Sequence, residues 1–155
     1  MKVYLDTCVI SALVKEDIHD QEFDALKNIL VLHGENKISL VTSEIAREEL
    51  DKIPDEYKSK HLIIYNLLRN IPVLNYISIK VIRIGFPLKQ NEEFKELISI
   101  LKDENDAKHI YQCFRNKVNF FVTVDVKTIL KKKDNISEVC NVGVYLPSEF
   151  YNIAK

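Results

Sequence analysis

The sequence predicts an α/β fold: a central, mainly parallel sheet of about five strands flanked by helices. Two observations carry that expectation. Short apolar runs alternate with longer segments whose apolar residues recur at helical spacing, the signature of strand–helix–strand units. No internal repeat, low-complexity tract or Gly/Ser-rich linker divides the 155 residues. A chain of this length fits one domain, 1–155, with enough residues to bury a normal core.

Taken in order, "KVYLD" reads as the first strand and residues 8–15 as a short helix. Residues 21–32 give a second helix carrying Phe23, Leu26, Ile29 and Leu30, with Gly34 placed to stop it. "KISLVT" is a second strand, followed by a helix from about Ser43 to Ile53. "DKIPDEYKSK" reads as a polar connection around Pro54, and residues 59–70 as a further helix. "YISIKVIRIG" alternates like a strand and falls in a variable segment, 71–100, with helical or edge character. "NEEFKELISILK" and "DAKHIYQCFRN" are helical. "VNFFVTVD" is a strand, "VKTILKKK" a short helix, "VGVYL" the last strand and "PSEFYNIA" a terminal helix opened by Pro147.

Composition excludes several function classes. Glycine occurs only at 34, 85 and 143, so neither a dinucleotide-binding GxGxxG nor a P-loop is present. Cys8, Cys113 and Cys140 are far apart and odd in number, which supports no zinc knuckle or disulfide frame. Their apolar neighbours suggest reduced thiols in a cytoplasmic protein, and no leader or membrane-length apolar run is visible. The net charge of -1 is not the footprint of bulk electrostatic nucleic-acid binding. It leaves room for a cluster of acids that grips a cation against phosphate.

The acids supply the chemistry. In parallel sheets the ligand crevice lies beyond the carboxyl ends of the strands. Asp6 ends the first strand and Asp125 the strand "NFFVTVD"; each is either a helix cap or a wall of a site. At about 100° per residue, Glu49 falls inside the apolar arc of Ile45, Ala46, Leu50 and Ile53, whereas Glu44 and Glu48 fall outside it. Asp106 lies at the edge of the stripe with Ile110 and Cys113, capped by Asn105 or Asp103. His109, Lys108, Gln112 and Arg115 are expected to face solvent. Inward acids must be paired, protonated or bound to a cation. Four carboxylates suit Mg²⁺ or Mn²⁺, which activate water for attack on a phosphodiester. No nucleophile elbow or Cys–His arrangement competes with that reading.

On these residues the chain resembles the PIN-domain nucleases, VapC-like members included. The matching segments are "VYLDTCVISAL", "VTSEIAREEL", "DAKHIYQC" and "FFVTVDVKTIL", with nineteen residues from Asp106 to Asp125, and a closing "VGVYLPSEF". The resemblance implies a metal-dependent endoribonuclease that hydrolyses RNA with Mg²⁺ or Mn²⁺ held by Asp6, Glu49, Asp106 and Asp125. Asp103 matches a secondary acid, and Thr7 and Thr123 match supporting hydroxyl positions. Cys8 stands where the family often has Asn and reads as a core residue without a chemical role. The resemblance also implies a possible toxin role with an antitoxin partner, a homodimer and no membrane. Lys127, Lys131, Lys132 and Lys133 serve either RNA phosphates or a solvated helix end. The alternative is a catalytically silent PIN-fold module that binds RNA or protein.

Overall fold

The run Lys2–Leu5 forms strand β1, and Val3, Tyr4 and Leu5 are wholly buried. A strand covered on both faces needs apolar side chains at successive positions, which explains why this run does not alternate. The computed structural model describes residues 1–60, 62, 66, 70–74 and 92–155. Within them follow α1 (Thr7–Lys15), α2 (Asp20–Gly34), β2 (Ser39–Val41), α3 (Glu44–Asp51), α4 (Asp55–Lys60), α5 (Glu92–Leu101) and α6 (Glu104–Arg115). Strand β3 (Phe120–Val122), α7 (Lys133–Cys140), β4 (Gly143–Tyr145) and α8 (Pro147–Ala154) complete the chain.

The strands stand in the order β2–β1–β3–β4, and all pairs are parallel. Val3 pairs with Leu40 on one side and Phe120 on the other, and Leu5 lies opposite Val122. Four strands are described where about five were expected; the fifth, over "YISIKVIRIG", lies outside the described residues. Successive strand side chains point to opposite faces. Val3, Leu5, Leu40 and Val122 meet α1, α2 and α8 through Val9, Ile10, Leu26, Ile29 and Phe150. Tyr4, Val41, Phe121 and Val144 meet α5, α6 and α7 through Leu97, Ala107, Ile110 and Ile136. The Tyr4 and Phe121 rings stack at 5.1 Å and 8°.

Three local expectations change. The "DKIPDEYKSK" stretch contains α4, because Pro54 precedes a helix start and Asp55 and Glu56 place negative charge in its first turn. "VKTILKKK" is not a helix: turns over 126–129 lead into a short 3₁₀ segment, Leu130–Lys132, and α7 begins only at Lys133. The cause is Asp125, whose carboxylate captures the Lys127 and Thr128 N–H groups and holds the backbone in a turn. Gly34 is the last residue of α2, and Asn36, at φ 59°, takes the left-handed position beyond it. Of the helix expected over 59–70, Leu62 and Asn66 are helical, while 61, 63–65 and 67–69 lie outside the described residues.

The two described glycines should respond oppositely to a methyl group. A Cβ on Gly143 would lie 2.6 Å from the Tyr145 hydroxyl, and that ring is held between Phe120 and Phe150. Gly143→Ala should cost about 1–3 kcal/mol through overpacking. A Cβ on Gly34 meets nothing within 4 Å, so Gly34→Ala should gain roughly 0.5 kcal/mol from helix propensity and chain entropy. Urea-unfolding midpoints at unchanged m-value check both signs.

Candidate functional site

Between β1 and β3 the chain order reverses: β1 leads to β2 on one side, whereas β3 leads to β4 on the other. Such a switch point opens a crevice at the carboxyl ends of the strands, and Asp6 stands there. Its N–H continues the ladder by donating to the Val122 carbonyl at 3.0 Å. Its side chain is 4% exposed. Oδ2 accepts from Thr123 Oγ1 at 2.7 Å and from Cys8 Sγ at 2.8 Å. The register that sets Leu5 against Val122 brings the next residues, Asp6 and Thr123, face to face.

Thr123 links the two strand-end acids. Besides donating to Asp6, its hydroxyl accepts the Asp125 N–H at 3.0 Å. The Asp125 carboxylate is bonded to protein donors through both oxygens: Oδ1 to the N–H groups of Lys127 and Thr128, and Oδ2 to the Thr128 hydroxyl. Asp125 is thus a turn cap at the rim, whereas α1 starts at Thr7 without a side-chain cap bond from Asp6. Of the two strand-end acids, only Asp6 lacks the capping use.

The helical acids come from two elements, Asp106 from α6 on the second face and Glu49 from α3, which packs against α1. Asp103 caps α6, with Oδ1 accepting from the N–H groups of Asn105 at 2.8 Å and Asp106 at 3.0 Å. Asp106 is half-buried, and its carboxyl is pushed up to about 6 by burial and by the charges of Asp103, Asp6 and Asp125. The charges of two other expected acids, Asp6 and Asp125, and of the secondary Asp103 thus all reach Asp106. Glu49 is also half-buried, while Glu44 and Glu48 are exposed, as the helical arc requires. Burial pushes the Glu49 carboxyl up, but His109, Thr7 and Lys52 outweigh it and hold it below the usual value. Thr7 Oγ1 is buried and within electrostatic reach of Glu49, yet makes no hydrogen bond of ordinary geometry.

Several neighbours were not expected here. His109 and Gln112, placed in solvent by the sequence pattern, are 2% and 1% exposed. His109 Nε2 lies 3.4 Å from Glu49 Oε2, long for a hydrogen bond, and Nδ1 lies 2.6 Å from the Tyr4 hydroxyl. Burial pushes His109 down, but Glu49, Asp6 and Asp106 outweigh it and hold its pKa above the ordinary value. The missed signal was angular: at about 100° per residue, His109 is 40° from Cys113, on the flank of the apolar stripe. Cys8 is not a bystander either. Its thiol donates to Asp6 and lies 2.9 Å from the Thr123 hydroxyl, and burial and Asp6 push its pKa far up, so it stays protonated. The lysines divide: Lys127 and Lys131 are exposed, Lys132 is partly buried, and Lys133 Nζ sits 3.4 Å from Glu149.

The match that decides the family is the PIN domain model, which aligns with residues 2–127. The chain belongs to the PIN domain family. PIN domains are typically nucleases and generally use divalent metal ions. No curated protein matches the chain, and no solved structure does. The donor set fits the family's hard cations: all-oxygen ligands, several negative charges at one rim, and beside them a buried Thr7 hydroxyl with no hydrogen bond of ordinary geometry among the described residues. Among the described residues, however, no three His, Cys, Asp or Glu side chains already stand close enough to grip an ion. Among them, too, no helix is long and apolar enough to cross a membrane.

The raised Asp106 pKa fixes a pH dependence. The folded protein binds this proton more tightly than the unfolded chain. Its contribution is therefore fully favourable below the unfolded value of 3.8 and is lost as pH rises through about 6. Asp106→Asn should abolish that slope and, in EDTA at pH 7, raise stability by about 1–2 kcal/mol, allowing for partial exposure. Chemical unfolding of both proteins from pH 4 to 8 measures it; parallel curves would contradict it.

Proposed function

We propose that this protein is a metal-dependent endoribonuclease that hydrolyses RNA phosphodiester bonds, with Asp6, Glu49, Asp106 and Asp125 holding Mg²⁺ or Mn²⁺. The observation that carries the reading is the acidic rim at the switch point, where burial first, and then the charges of Asp103, Asp6 and Asp125, push the Asp106 carboxyl up to about 6. Uncompensated acids at a strand rim are costly unless a cation or proton answers them. The bound ion would supply Lewis-acid activation of water and neutralise charge on the phosphodiester. Asp6, pinned by Thr123 and Cys8, would present its remaining oxygen from the centre of the site. Asp125 would be held in place by the turn it caps. Asp103 plays a secondary part, Thr7 and Thr123 support, and Lys127, Lys131 and Lys132 meet RNA phosphates. Lys133 joins them by leaving Glu149. The setting is cytoplasmic, as a homodimeric VapC-type toxin with an antitoxin partner.

A second reading is a catalytically silent PIN-fold module that binds RNA or protein. It is favoured by the spacing of the acids, among which no three form a ready-made metal group in the described residues.

Labelled RNA incubated with Mn²⁺ or Mg²⁺ separates the two. Wild type should cleave and EDTA should stop it. Asp6→Asn and Asp125→Asn should each lower the rate by at least about 100-fold, the scale on which lost transition-state charge stabilisation is felt. Equal cleavage by wild type and variants would mark a contaminant. Growth arrest on expression, relieved by the product of an adjacent small gene, tests the toxin role.

A further inference from the structure

Behind Glu49 runs a line of buried polar groups that the four acids do not explain. Ser43 ends the loop after β2, Tyr4 lies in the middle of β1 and His109 lies in α6, three elements remote in sequence. Tyr4 Oη lies 2.6 Å from Ser43 Oγ and 2.6 Å from His109 Nδ1, and His109 Nε2 faces Glu49 Oε2 at 3.4 Å. Ser43 Oγ accepts the Ala46 N–H at 3.2 Å, which leaves its hydrogen free to donate.

The donors and acceptors can be assigned from chemistry alone. With His109 neutral, Ser43 donates to Tyr4, Tyr4 donates to Nδ1, and Nε2–H points at Glu49. With His109 charged, Nδ1–H donates to Tyr4, Tyr4 donates to Ser43, and Nε2–H still points at Glu49. In both states the hydrogens of Tyr4 and His109 have acceptors, and Glu49, an acceptor only, takes Nε2–H in each. The Nε2–H direction is therefore independent of protonation.

We propose that His109 is a positioning residue for Glu49: the Ser43–Tyr4 pair fixes the imidazole so that Nε2–H holds one carboxylate oxygen and sets how Glu49 is presented to the acidic rim. This rests on the metal-site reading given above. At 3.4 Å the Nε2–H faces the carboxylate oxygen it would steady were Glu49 to hold a metal ion. Partners that orient a metal ligand commonly change metal affinity by about 10–100-fold when lost.

Two measurements on the whole chain test it. In metal-free protein, long-range ¹H–¹⁵N NMR should find the neutral His109 protonated at Nε2; a neutral ring protonated at Nδ1 overturns the proposal. Mn²⁺ titration followed by thermal shift should show His109→Leu weakening apparent affinity about tenfold. His109→Gln, whose amide can still donate to Glu49, should stay within about threefold of wild type, and Tyr4→Phe should fall between the two. Glu49→Gln combined with His109→Leu should be no weaker than Glu49→Gln alone, because the histidine acts through that carboxylate. Wild-type affinity in folded His109→Leu, a folded His109→Gln no better than His109→Leu, or simple additivity overturns the positioning role. If His109→Leu does not fold, the His109→Gln and Tyr4→Phe results decide. No Mn²⁺ response in wild type overturns the metal-site reading instead.

Discussion

The acidic rim depends on one buried hydrogen bond, from Thr123 Oγ1 to Asp6 Oδ2 at 2.7 Å. It joins the ends of β1 and β3 at the point where the sheet changes direction. The same hydroxyl receives the Asp125 N–H, so one small side chain fixes the relation between two carboxylates. Register makes this possible. A slip of one residue between the strands would reverse which side chains face which layer: Val3 and Leu5 would change places with Tyr4, and the stacking of Tyr4 on Phe121 would be lost. Packing of two helical layers thus enforces the geometry of a polar site to which α6 itself contributes Asp106 and His109.

Around that link, negative charge is met in three different ways. Asp6 is stabilised by donors, the Thr123 hydroxyl and the Cys8 thiol. Glu49 leans on His109. Asp106 has no comparable donor among the described residues, and His109 only partly offsets the burial and repulsion that push its carboxyl up to about 6. The differences follow from position. Asp6 and Asp125 lie in the strand-end loops where backbone and hydroxyl donors are exposed. Glu49 meets another helix across the second layer. Asp106 sits in the first turn of α6, where Asp103 has already taken the N–H groups.

Much of this was legible in the sequence because two periodicities dominate it. The apolar runs at Val3–Leu5 and Phe120–Val122 are strands buried on both faces. The angular argument correctly separated Glu49 from Glu44 and Glu48. It failed at His109, because a polar residue on the flank of an apolar stripe was assigned to solvent. Its burial depends on partners in β1 and α3, a tertiary fact that no local pattern carries. Tyr4 concealed the other half: in a strand it reads as a large apolar residue, although a buried hydroxyl needs a partner. The short helix expected after Asp125 also failed for a tertiary reason. The acid that marks the site also caps the turn following it, and this turn displaces the first part of the helix.

The link between Asp6 and Thr123 spans 117 positions in the chain. Parallel pairing of β1 with β3 cannot begin until nearly the whole matched domain has been synthesised, and contacts so remote in sequence form late because loop closure precedes their reward. During translation Asp6 precedes by more than a hundred positions both Asp125 and the hydroxyl that orients it. The order of the strands therefore acts as a delay. A polypeptide built in this order gains the Asp6–Thr123–Asp125 connection only after β3 has been made.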